Sequence, residues 1–155
     1  MSDALHVPAG KDRSGKRLVV EGVVPLDRKV RPGEVDGRFF VYEHWDVGRG
    51  GPPRHLHGAQ EEWIYVLAGE IVVEIGDRRL VLRPGDSALA PRGVPHAWAN
   101  LGDAPASLLF LAQPAGAMEG FFETLSGRPD LPWNELEALY ERHGMTLLGP
   151  PLVAG

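Results

Sequence analysis

The chain has 155 residues, enough for one ordinary domain with a real hydrophobic core. Its 43% hydrophobic and 24% charged residues give the balance of a folded globular protein, and a formal charge of −5 argues against nucleic acid as a partner. It contains no cysteine, which excludes disulfides, thiolate metal sites and thiol catalysis, so any metal must be held by imidazole and carboxylate.

Taken in chain order, residues 1–16 are polar, carry Gly and Pro, and read as a flexible arm. The arm lacks the apolar core of a signal peptide, and no later stretch reaches the ~20 apolar residues of a membrane helix. No membrane partner is expected, and the cytoplasm is the expected setting. From there to about residue 115 the chain reads as short strands rich in Val, Ile, Leu and aromatics, broken by Gly, Pro and Asp. The predicted strands are Arg17–Val24, Phe39–Val47, Glu62–Leu67, Glu70–Ile75, Arg79–Leu82, Ser87–Ala90, Pro95–Asn100 and Ser107–Gln113. Gly76-Asp77-Arg78 has the chemistry of a tight hairpin. Strands at this spacing with no helix between them predict an all-β sandwich or barrel. Residues 116–155 change character, with helices predicted over Met118–Leu125 and Pro132–His143 and packed on the β domain.

The chemistry concentrates in the histidines. His55 and His57 are one residue apart, so on a strand both imidazoles face the same way. Glu62 follows a short turn containing Gly58, and an antiparallel return brings its carboxylate back over the two rings. His96 arrives from a later strand. Three imidazoles and a carboxylate suit one divalent transition metal (Fe, Mn, Ni, Zn or Cu) with positions left for substrate. His6 and His143 are read as surface groups, and His44 as packing or surface.

These residues resemble the two motifs of the cupins, G(X)5HXH(X)3–4E(X)6G and G(X)5PXG(X)2H(X)3N. Gly85, Pro91, Gly93, His96 and Asn100 meet the second at every fixed position. His55, His57, Glu62 and Gly69 meet the first, with one departure: its opening glycine falls at Gly50, one position late, and Arg49 stands in its place. Glu61 also lies within the permitted gap, but only Glu62 leaves six residues before Gly69. The resemblance implies an antiparallel, jelly-roll-like β-barrel over residues 17–115, with the metal near one mouth and a short C-terminal helical appendage. It also implies a homodimer, in line with the exposed edge strands of an incompletely closed barrel.

Alternation then names the expected pocket. Trp98 shares the face of His96, Ile64 and Val66 share that of Glu62, and Phe40, Tyr42 and Phe110 are expected along the same cavity. An apolar, aromatic cavity beside a metal favours a small organic substrate. The resemblance implies a quercetinase-like dioxygenase in which Glu62 doubles as a catalytic base. The alternatives are a redox-neutral, metal-dependent isomerase or decarboxylase and a non-enzymatic small-molecule binder.

Overall fold

The computed structural model describes residues 3–21 and 24–155. Its strands are β1 (Leu18–Val20), β2 (Val24–Val30), β3 (Phe40–Val47), β4 (Pro53–His57), β5 (Glu61–Ala68), β6 (Ile71–Ile75), β7 (Arg78–Leu82), β8 (Ser87–Ala90), β9 (His96–Ala99) and β10 (Ala106–Gln113). Two helices, α1 (Met118–Ser126) and α2 (Trp133–Arg142), and a last strand, β11 (Met145–Pro151), complete the chain. All strand pairing is antiparallel and falls into two sheets, β1-β2-β3-β10-β5-β8 and β11-β4-β9-β6-β7.

Burial alternates along the strands that matter. In β5 the buried set is Glu62, Ile64 and Val66, and in β4 it is Pro53, His55 and His57. One face of each sheet therefore packs against the other over a shared core. The hairpin at Gly76-Asp77 is as the sequence predicts: Ile75 pairs with Arg78, and Gly76 takes a φ of 60° that the tight turn requires. Gly69 has a different role, because a Cβ there would stand 2.5 Å from the Pro105 carbonyl oxygen.

The β domain is two facing antiparallel sheets that do not close into a barrel: among the described residues no pairing of the named strands joins one sheet to the other. Two expectations are corrected. The expected strand Arg17–Val24 ends at Val20, a new strand begins at Val24, and residues 22–23 lie outside the described residues. That second strand was hidden because Asp27 and Arg28 interrupt its hydrophobic pattern although both are buried. Last, the C-terminal extension is not purely helical. After α2 the chain returns as β11, where Met145 pairs with His57 and Leu147 with His55. Gly149 and two prolines late in this segment masked its strand character.

The arm is also anchored where it was expected to be loose. Asp12 accepts hydrogen bonds from the Arg28 backbone N–H (2.7 Å), from Arg28 Nε (3.0 Å) and from Ser14 Oγ (2.6 Å). The Asp12 and Arg28 side chains are both almost fully buried. Burial alone would raise the Asp12 carboxyl, but the Arg28 and Ser14 hydrogen bonds outweigh it and bring the pKa from 3.8 down to about 2. A depressed carboxyl stabilises the fold above its unfolded value, so this contribution is complete above about pH 4 and fades as the pH falls toward 2. Asp12→Ala removes the buried carboxylate but leaves Arg28 its contacts with Glu123, Ser14 and the Lys16 carbonyl, and is expected to cost about 2 kcal/mol by urea denaturation at neutral pH. A loss below about 0.5 kcal/mol, the range of surface substitutions, would contradict the anchoring.

Candidate metal centre

Two sheets supply the donors. His55 on β4 stands directly opposite His96 on β9, a pairing that puts the two side chains side by side. His57 lies two residues along β4 on the same buried face. Glu62 comes from β5 in the facing sheet, where its strand neighbours are Ala112 and Ala90, both small. The four donor atoms lie within 4.8 Å of one another, and all four residues are buried.

Each imidazole is oriented by its far nitrogen. His55 Nδ1 lies 2.7 Å from the Pro53 carbonyl oxygen and His96 Nδ1 lies 3.0 Å from that of Val94. A carbonyl only accepts, so Nδ1 carries the proton in both rings, and in the neutral ring Nε2 keeps its lone pair. His57 Nδ1 donates to Gln60 Oε1 at 3.2 Å. The Gln60 amide is fixed in turn, since its Nε2 donates to the Pro114 and Ala115 carbonyls at 2.7 and 2.6 Å. Hydrogen bonds of this kind, from the outer nitrogen of a ligating histidine, set its tautomer and its aim.

Glu62 is held at both oxygens. Its Oε1 accepts from the Tyr42 hydroxyl at 3.1 Å, while Oε2 lies 2.8 Å from His96 Nε2 and 3.4 Å from His57 Nε2. Burial would raise the Glu62 carboxyl, but His57 and His96 beside it outweigh burial and hold it well below the usual range. For His96, burial lowers the pKa, and the Glu62 carboxylate reverses this into a net rise. His55 is lowered to about 4, first by burial and then by His96 beside it.

The residues fit a metal. His57 Nε2 is sealed from solvent and has no hydrogen-bond partner among the described residues. An orphan of that kind costs about 1–3 kcal/mol unless something takes its lone pair. Donors about 2.1 Å from one ion stand about 3.0–3.4 Å apart when they are neighbours in its shell; Glu62 Oε2 stands 3.4 Å from His57 Nε2, within that range, and 2.8 Å from His96 Nε2, just below it. Three imidazoles and one carboxylate fill a tetrahedral shell, so a position for a further ligand requires a five- or six-coordinate ion.

The centre opens into a cavity lined by Tyr42, His44, Trp98, Met118, Phe121, Phe122, Leu125, Tyr140 and Met145, with Val20, Glu21 and Val24 contributing from the β1–β2 end. Of the pocket residues read from sequence, Tyr42 and Trp98 line it. Ile64, Val66, Phe40 and Phe110 do not; they are fully buried in the filled part of the core, and Phe110 stacks flat on Tyr42 with ring centres 5.0 Å apart. Facing inward on a strand is a weaker condition than facing the cavity. Sequence reasoning missed Gln60, which no motif marks, and the helical wall. His44, read from sequence as packing or surface, lines the cavity, and the signal for it is the parity it shares with Phe40 and Tyr42 on β3. Glu61 points outward and pairs with Arg92 at 2.7 Å, so the strand register chosen from Gly69 is the one observed.

Residues 41–112 match the family described as Cupin domain. Protein SchB of Streptomyces halstedii is 38% identical over 77 residues, covering 50% of this chain and 49% of that one. The chain thus spans about half the length of this curated relative. Among solved structures, KdgF from a Halomonas species superposes with a TM-score of 0.59 at 20% identity, covering 73% of this chain and 94% of that one, a likeness of fold. The polyketide cyclase RemF from Streptomyces resistomycificus superposes with a TM-score of 0.52 at 26% identity, covering 59% of this chain and 65% of that one.

Titration of zinc into metal-stripped protein tests the ligand set. Glu62→Gln is expected to abolish tight binding and Glu61→Gln to leave it unchanged; the reverse pattern would shift the register by one residue. Gln60→Ala removes only the support of His57 and is expected to weaken binding about 10–100-fold. Unchanged affinity in that variant would show that Gln60 does not aim the ring.

Proposed function

We propose that the chain, whose residues 41–112 match the Cupin domain family, is a redox-neutral metal enzyme acting on a flat, largely apolar ketone that can enolise. One observation carries this reading. Apart from the metal-site donors, His44 and Glu21, the cavity at the metal centre is walled by apolar and aromatic side chains, and no Lys or Arg lines it among the described residues. A phosphorylated or carboxylated substrate would find no cation there to replace its lost hydration, whereas a neutral aromatic ring would bury apolar surface on all sides. The similarity to the polyketide cyclase RemF supports the same substrate chemistry, since a polyketide is a chain of enolisable carbonyls.

His55, His57 and His96 would hold the metal through Nε2, and Glu62 through Oε2. The bound ion would supply Lewis acidity toward a substrate carbonyl. The remaining work falls to the chain's own groups. Glu62 lines the cavity, and its Oε1, which accepts from the Tyr42 hydroxyl, would take the proton from the carbon beside the carbonyl and return one exchanged with solvent. The walls from α1 and α2 limit the access of water to a reactive enolate. Trp98 and Phe122 give a planar substrate surfaces to lie against.

Deuterium exchange tests the proposal. With 2-acetyl-1-naphthol in D2O, the zinc-loaded protein is expected to exchange the methyl protons next to the carbonyl roughly 100-fold faster than the metal-stripped protein, with no oxygen uptake. Oxygen consumption confined to the Fe, Mn or Ni forms, with no exchange by the zinc form, would overturn it in favour of a dioxygenase.

A further inference from the structure

His44 belongs to neither cupin motif and is not one of the four converging donors, yet it lines the cavity. Its Nδ1 lies 2.9 Å from the Pro25 carbonyl oxygen, which can only accept, so that nitrogen carries the proton. Nε2 is left with a lone pair and no hydrogen-bond partner among the described residues. Unlike His57 Nε2, it is not among the buried polar atoms sealed from any contact. Around it stand the rings of Tyr42, Trp98, Phe110 and Phe122, at centre distances of 5.4 to 6.5 Å. Of those four side chains only the Tyr42 hydroxyl and the Trp98 indole carry a donor; the hydroxyl is already given to Glu62, and no hydrogen bond joins the indole to His44.

We propose that His44 Nε2 recognises a hydroxyl group on a flat aromatic or enolised ligand. This names the substrate class more narrowly and rests on reading the cavity as the substrate pocket. The ligand would carry two oxygens: a carbonyl directed to the metal centre, and an enolic or phenolic O–H directed to His44. Burial lowers the His44 pKa to about 4, so the ring is neutral at physiological pH and a weak base. It is therefore better suited to accept a hydrogen bond than to remove a proton from carbon. A buried acceptor that fits a hydroxyl discriminates against analogues lacking one, because it is then left unpaired.

The test uses metal-stripped protein, so that absence of turnover cannot be confused with absence of recognition. Quenching of tryptophan fluorescence, with Trp98 in the cavity wall, reports the binding of 2-naphthol and of naphthalene. Burial of apolar surface alone ranks naphthalene first, since its partner's hydroxyl is better hydrated in water. The wild type is expected instead to bind 2-naphthol about tenfold more tightly, the worth of one neutral hydrogen bond. His44→Phe is expected to erase that preference while keeping naphthalene binding within about twofold. His44→Gln, which keeps an acceptor, is expected to retain part of it. Equal affinity for the two probes in the wild type, or a preference that survives in His44→Phe, would overturn the proposal. If His44→Phe does not fold, the wild-type ratio and His44→Gln still decide.

Discussion

Everything in this molecule turns on the convergence of three imidazole nitrogens from one sheet with one carboxylate from the other. An ionised carboxylate does not enter an apolar core unpaired, because its desolvation costs several kcal/mol even after relaxation. Here Glu62 is buried between the sheets; the tyrosine hydroxyl offsets part of that cost at one oxygen, while the other faces imidazole Nε2 atoms that help only with a proton or a cation between them and the carboxylate. A cation at that point would complete the compensation and tie the sheets together where no backbone hydrogen bond does.

The surrounding elements follow from the aim those donors need. Carbonyls two residues back along the chain fix His55 and His96, so their orientation comes with the strand itself. His57, at the end of β4, has no such carbonyl and depends on Gln60, which is anchored beyond β10 at Pro114 and Ala115. Gly116 is held close by: a Cβ there would stand 2.7 Å from the Gln60 amide nitrogen, and its φ of 53° already disfavours a side chain. The C-terminal segment then does two jobs. β11 pairs along β4 and backs the ligand strand, while α1 and α2 place Met118, Phe121, Phe122 and Tyr140 over the open side of the centre. Among the described residues, no helix is long and apolar enough to cross a membrane.

Much of this was legible in the residues. Alternation within His55–His57 and within Glu62–Val66 sets the inward faces correctly, because a strand offers only two faces and a buried carboxylate must choose the one with partners. Spacing to Gly69 separates Glu62 from Glu61, and the reason is steric: the Gly69 position admits no Cβ beside Pro105 and Ala106. Less was legible wherever a long-range partner overrides the local pattern. Asp27 and Arg28 look like a surface turn until Arg17 and Asp12, far along the chain, neutralise them. β11 carries strand-breaking residues and is held as a strand by β4 alone. The filled part of the core and the cavity share one inward face, so parity could not tell Phe110 from Tyr42. The difference lies in which helix lands where.

Anomalous X-ray diffraction from crystals of the protein loaded with zinc tests the central claim most directly. The account predicts one anomalous peak per chain, bonded to Nε2 of His55, His57 and His96 and to Glu62 Oε2, with each bond about 2.0–2.2 Å long. A fully loaded crystal with no peak there, or with its metal elsewhere and His57 Nε2 hydrogen-bonded to water, would contradict it.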